Sequence, residues 1–154
     1  MPAKPKISFK PSSPVKATSI SDARTQLNIS YKYLCTNDKK YSMNELPDNK
    51  TMAKFYENFI DKMSEYCKYD NFKKKISSDI SYSTSNHIHP IDWKDNRIKE
   101  KSFTSLNSDL MRQIEKECWQ LGINNQGFRV HGFFIENTFY VVWLDPLHKL
   151  YESK

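Results

Sequence analysis

The sequence predicts an α+β domain: a small antiparallel sheet ending in a C-terminal β-hairpin, with helices packed on one face. Three observations carry this. Phe128–Ile135 and Thr138–Leu144 are two β-branched and aromatic runs separated by the polar pair Glu136-Asn137, the pattern of a hairpin. Residues 50–69 and 106–121 repeat apolar side chains with helical spacing. Residues 27–35 alternate as a strand does. The chain has 154 residues, 38% of them apolar and 14% aromatic, enough for one domain with its own core.

In chain order, residues 1–25 hold four prolines and five basic residues among serines, the composition of a flexible basic arm. The domain proper is expected over 26–154. In the first strand, Ile29, Tyr31 and Tyr33 share a face, and Thr36–Lys40 reads as a turn. Over 50–69, Met52, Phe55, Tyr56, Phe59, Ile60, Met63, Tyr66 and Cys67 form one broad stripe, with Asp48 or Asn49 as cap. A short helix over 71–78 turns Phe72 and Ile76 inward and Lys73–Lys75 outward. Residues 79–104 read as loop. Over 106–121, Leu106, Leu110, Ile114, Cys118 and Leu121 line one side of a helix, capped by Ser105 and stopped by Gly122.

A two-residue hairpin loop pairs Ile135 with Thr138, Phe133 with Tyr140, His131 with Val142 and Arg129 with Leu144. One face then carries Phe128, Val130, Gly132, Phe134, Phe139, Val141 and Trp143 and demands cover. The other carries Arg129, His131, Phe133, Ile135, Thr138, Tyr140, Val142 and Leu144, with Asp145, His148, Lys149 and Tyr151 at the strand exit. The polar groups of the hairpin thus collect on one face and one end.

Composition excludes several classes. The only glycines are Gly122, Gly127 and Gly132, so no phosphate-binding glycine loop can be written. Cys35, Cys67 and Cys118 form no Cys-x-x-Cys pair, and no leader-like apolar segment opens the chain, which points to reduced thiols in the cytoplasm. No run reaches the roughly 20 apolar residues of a membrane span. The net charge of +6 suits a phosphate-bearing or acidic partner.

Two constellations carry chemistry. His87, His89, Asp145 and His148 hold donor types that bind zinc or manganese, although the preferred reading has no metal and no cofactor. The second is Arg129, His131, His148, Lys149 and Tyr151, with Trp93, Lys94 and Tyr140 as RNA contacts. Metal-independent RNA cleavage needs a base for the 2′-hydroxyl, cations for the phosphorane and an acid for the 5′-oxygen. His, Lys, Tyr and Arg supply all three, and aromatic rings stack unpaired bases.

The strand pair Phe-Arg-Val-x-Gly-Phe-Phe … Phe-Tyr-Val-Val-Trp-x-Asp-Pro-x-His-Lys-x-Tyr resembles the C-terminal end of the RelE/HigB/ParE-type toxin superfamily. The resemblance covers the last 27 residues, Phe128 to Lys154, and more loosely the preceding strand–helix–helix order. It implies a toxin-like endoribonuclease, a hydrolase of a mobile element that cuts ribosome-bound messenger RNA without metal and is held by an acidic antitoxin protein. It would make Arg129 a phosphate contact, His148 and Lys149 charge stabilisers or proton donors, and Tyr151 an acid, base or stacking residue. The long 79–104 segment, the extra helix and the N-terminal arm depart from that family, and its ParE-type members inhibit gyrase on the same fold. The other class of function open to the sequence is a non-enzymatic interaction protein of a phage, plasmid or defence locus that binds an acidic protein or a nucleic acid.

Overall fold

A computed structural model of the chain describes residues 25–46 and 48–151. The basic arm therefore lies, apart from Thr25, outside the described residues. The elements are β1 (Asn28–Ser30), α1 (Asn49–Cys67), α2 (Phe72–Ser78), α3 (Ile80–Ser85), β2 (His89–Pro90), α4 (Ser108–Ile114), β3 (Cys118–Gly122), β4 (Arg129–Ile135) and β5 (Thr138–Asp145). The strands form one sheet in the order β1-β5-β4-β3-β2. Every pairing is antiparallel except β1 with β5, which run parallel, so the sheet is mixed. The α+β class and the C-terminal hairpin stand as the sequence predicts.

Helix α1 begins where Asp48 accepts a hydrogen bond from the Thr51 N–H at 2.7 Å. It ends shortly before Asn71, whose φ of 50° turns the chain into α2. Its stripe of Phe55, Phe59, Met63 and Tyr66 is buried against Leu121, Val130, Phe134, Phe139, Val141 and Leu144 of the sheet, and α2 adds Phe72 and Ile76. Each such side chain contributes about 1.5–3 kcal/mol when fully buried. The Tyr66 hydroxyl donates to the Gly122 carbonyl at 2.5 Å, tying α1 to the end of β3.

The opposite face has its own core, which corrects the expectation that both helices share one face. Tyr41, Ile91, Trp93, Ile98, Phe103, Met111 and Ile114 pack there on Cys118, Phe133, Val142, Trp143 and Leu150. The cover is thus α4 together with the irregular segment 91–103. Tyr41 stacks on Trp143 at 4.3 Å, and Phe103 meets the same indole edge-on at 5.0 Å.

Three local expectations change. The helix expected over 106–121 stops at Ile114, and Cys118–Gly122 is a fully buried central strand. Cys118 and Leu121 continue the apolar rhythm of the helix by accident of spacing. The loop expected over 79–104 contains α3, capped by Asp79 accepting from the Tyr82 N–H at 3.0 Å, and the short β2. The first strand covers three residues, Asn28–Ser30, and not the whole of 27–35.

The hairpin register obeys the prediction from Ile135↔Thr138 to Gly132↔Val141, then slips. His131 pairs with Trp143, Val130 with Leu144 and Arg129 with Asp145. Val142 is one extra residue on β5, a bulge that reverses the facing of the residues beyond it. Val142 and Trp143 both enter the second core, and Leu144 moves to the first. Trp143 and Leu144 therefore exchange the faces that uninterrupted alternation assigns them. Gly132 permits the slip: a Cβ there would lie 2.1 Å from the Tyr140 carbonyl oxygen.

Candidate functional site

The bulge sets Asp145 against His131. His131 Nε2 donates to Asp145 Oδ2 at 2.9 Å, and both side chains are completely enclosed. Asp145 also accepts from the Lys149 N–H at 2.7 Å through Oδ1 and from the Leu150 N–H at 3.0 Å through Oδ2. Burial alone drives a carboxyl pKa upward. Here the His131 hydrogen bond and charge and the two backbone N–H groups outweigh burial and hold Asp145 below the usual range. The pair thereby fixes the turn after β5, in which His148 takes a left-handed φ of 54°.

That turn forms one wall of a cleft of about 310 Å³ at the end of the sheet where β4 begins and β5 ends. His148 and Tyr151 come from the turn, Arg129 from β4 and Gln120 from β3. His87 and His89 come from the segment after α3, and Arg97 from the loop beyond β2. No carboxylate lines it. His87, like His148, sits at a φ of 54°, so two left-handed histidines flank one cleft. Such backbone states cost free energy and concentrate at functional sites. Gly122 lets the first of them in: a Cβ there would lie 2.0 Å from the Asn86 carbonyl oxygen and 2.9 Å from the His87 Cβ.

Tyr151 is the hub. Its ring lies 5.0 Å from that of His89 and 6.5 Å from that of His148, with the Arg97 guanidinium 5.2 Å above it. Burial, and then the charge of Asp95, push its phenol up to about 12, so it is protonated at neutral pH. His89 is fully committed: Nδ1 donates to the Pro90 carbonyl at 2.9 Å and Nε2 accepts from Gln120 at 3.1 Å. Burial holds its pKa below the ordinary histidine value, so it is a neutral, fixed wall. His148 is also held low, by burial and then by the Arg129 charge, and its ring nitrogens have no hydrogen-bond partner among the described residues.

Arg129 is the most telling residue. It is only 4% exposed. Nη1 donates to the carbonyls of Asn124 at 2.6 Å and Phe128 at 2.9 Å. Nε is buried without a partner, and no carboxylate forms an ion pair with it among the described residues. Burial holds its pKa below the usual arginine value, and the charge of Asp145, its neighbour across the strand pair, offsets that only in part. Arg97, by contrast, is paired with Asp95 through Nε–Oδ1 at 3.0 Å and Nη2–Oδ2 at 2.6 Å.

Of the residues predicted from sequence, the fold brings Arg129, His148 and Tyr151 into this cleft. His131 belongs behind it, enclosed and out of reach of any substrate. Lys149 is held through its backbone by Asp145 and does not line the cleft. Trp93 is no RNA platform: it is buried in the second core against Phe103 and Trp143. Lys94 is exposed beside a separate hollow with Asp92 and Glu115. Tyr140 stacks on Phe133 at 5.1 Å, near the hairpin turn and outside the cleft. His87, His89 and His148 do gather, but Asp145 is turned away to His131, and no group of three metal-binding side chains is assembled among the described residues. Sequence reasoning misses Arg97 and Gln120. No local signal marks Arg97, and Gln120 is hidden inside an expected helix.

Residues 30–154 match the model of the family described as Uncharacterised protein UU032, and the chain belongs to that family. No curated protein and no solved structure matches it significantly. No helix among the described residues is long and apolar enough to cross a membrane.

Proposed function

We propose that this member of the UU032 family is a metal-independent endoribonuclease of the cytoplasm, and that the cleft around Tyr151 is its active site. The observation that carries the reading is Arg129: a buried guanidinium that bonds to no carboxylate, in a cleft lined by a second arginine, three histidines and no acid. Such a site is built for an anion, and a guanidinium offers paired N–H donors to phosphate oxygens. The resemblance of the last 27 residues to the RelE/HigB/ParE-type toxins favours RNA over other phosphodiesters.

His148, neutral at physiological pH with uncommitted nitrogens, takes the proton of the 2′-hydroxyl as that oxygen attacks phosphorus. Arg129 and Arg97 stabilise the charge growing on the non-bridging oxygens. Tyr151, held protonated, gives its proton to the departing 5′-oxygen, leaving a 2′,3′-cyclic phosphate. His131 and Asp145 act as positioning residues, since they hold the turn that carries His148 and Tyr151. An acidic antitoxin protein as partner, and ribosome-bound RNA as substrate, belong to the same proposal, as the net charge of +6 suits both.

The test is cleavage of a labelled oligoribonucleotide by the full chain in excess chelator. Wild type is expected to yield cyclic-phosphate ends. His148→Asn and Tyr151→Phe are each expected to lose about 100-fold or more in rate while melting normally. Uncut RNA overturns the reading, as does activity that disappears with chelator. Saturable, salt-sensitive binding without turnover would transfer the site to an interaction protein.

A further inference from the structure

A second, smaller hollow adjoins the cleft and has no role in the chemistry above. It measures about 220 Å³ and is walled by Ser85, Asn86, Asn124 and Asn125. His87 is common to both cavities, so a ligand leaving the first meets the second across one imidazole. Its volume falls below the roughly 300 Å³ at which pockets for drug-sized ligands begin, which suits one ring system and not a whole nucleotide.

The polar lining is three primary amides, the Ser85 hydroxyl, the shared His87 and Lys62, whose ammonium is already paired with Glu65 at 3.1 Å. Some of their capacity is spent on the fold. Asn124 Oδ1 accepts from the Gln126 N–H at 2.9 Å and the Phe128 N–H at 3.1 Å, shaping the loop before β4. Asn86 Nδ2 donates to the Tyr82 carbonyl at 2.9 Å, closing α3. Asn125 Oδ1 meets His87 Nε2 at 3.3 Å. The remaining capacity is complementary: the Asn86 acceptor, and the Nδ2 donors of Asn124 and Asn125. Donors and acceptors side by side read the edge of an unpaired base, whereas phosphate needs donors alone. Asn124 also offers its carbonyl to Arg129 at 2.6 Å. The same loop thus holds the phosphate-binding arginine and one wall of the hollow.

We propose that this hollow is a nucleobase subsite, which takes the unpaired base next to the phosphate bound at Arg129 and makes the enzyme base-selective. The inference rests on the RNA reading of the main cleft. The experiment measures binding of the full chain to fluorescent 2′-O-methyl hexanucleotides of A, C, G or U, which cannot be cleaved, and to an abasic hexamer of equal charge. Wild type is expected to bind its preferred base at least tenfold more tightly than the weakest, and than the abasic chain. Asn125→Asp replaces a donor by an acceptor at an exposed position and is expected to change the ranking of the four bases. Because every probe carries the same phosphates, the added charge weakens all of them alike and leaves the ratios to report the base. Equal binding of all four bases and the abasic chain would overturn the subsite while sparing the ribonuclease. A ranking unchanged by Asn125→Asp would do the same. Absence of binding to any oligomer at low salt would overturn both.

Discussion

Replacing Asp145 by alanine removes the acceptor of three hydrogen bonds at once. The His131 Nε2–H, the Lys149 N–H and the Leu150 N–H lose their partner in a region where His131 and Leu150 are almost wholly enclosed. A buried donor left unsatisfied costs about 1–3 kcal/mol. Breaking a buried pair by deleting one member typically costs about 3–5 kcal/mol in total, and we take that as the expected loss for Asp145→Ala. For a chain of this size each kcal/mol moves the melting temperature by about 2–4 °C, so the transition is expected to fall by roughly 10 °C. The assay is thermal and urea unfolding monitored by circular dichroism, with a His131→Phe/Asp145→Leu variant as companion. That variant removes both partners of the pair and is expected to lose less than Asp145→Ala. Asp145 has its pKa below the unfolded value, so its stabilisation is present above that unfolded value, about 3.9, and disappears as pH falls through the folded one. An Asp145→Ala chain that melts within 3 °C of wild type would refute the claim that this pair holds the turn.

Other outcomes rest on the same geometry. His89 and His148 both have folded pKa values below the unfolded 6.5, so they favour folding above that pH and oppose it as pH falls through their folded values. The melting temperature is therefore expected to drop between pH 7.5 and 5, and a His89→Asn/His148→Asn chain to show a flatter profile. Gly132→Ala places a methyl 2.1 Å from a backbone oxygen, and Gly122→Ala one 2.0 Å away, so each is expected to lose about 3 kcal/mol or fail to fold in urea titrations. Inorganic phosphate at ten times its Kd is expected to stabilise wild type by about 1.4 kcal/mol, and Arg129→Gln to abolish that shift. Cys118 is buried, and burial pushes its thiol up to about 12, so a thiol reagent is expected to label Cys35 and Cys67 in the native protein and Cys118 only after unfolding.

The hairpin is legible in the sequence because a two-residue turn and period-two alternation are local properties, and they hold down to Gly132. The bulge is not legible, since it depends on how closely β4 approaches Tyr140 once both strands are packed. Its effect on the site is large: uninterrupted alternation sets Arg129 opposite Leu144, and the bulge sets it opposite Asp145. Strand β3 is masked because Cys118 and Leu121 prolong the helical rhythm of Leu110 and Ile114, and five buried residues carry too little pattern to resist it. Helix α3 escapes notice because its Ile-Ser-Tyr-Ser-Thr-Ser composition favours neither helix nor strand; the Asp79 cap sustains it. Arg129, His148 and Tyr151 can be singled out from type and position as candidate site residues. Their meeting with His87, His89 and Arg97 cannot, because it arises only when β2 is laid beside β3.

The parallel pairing of β1 with β5 has a consequence for how the molecule comes into being. Asn28 finds its partner at Thr138, and two inner strands of the sheet, β4 and β5, are synthesised after all the other strands. Helix α1 thus leaves the ribosome before β4 and β5, the strands that cover most of its aromatic stripe, and the β1 edge likewise waits for β5. A chain organised in this way is slow to close and open to chaperones or self-association until β5 arrives. It also acquires all its surfaces in one late step. Arg129, His148 and Tyr151 are all encoded after β3, so no shortened nascent fragment carries a formed cleft.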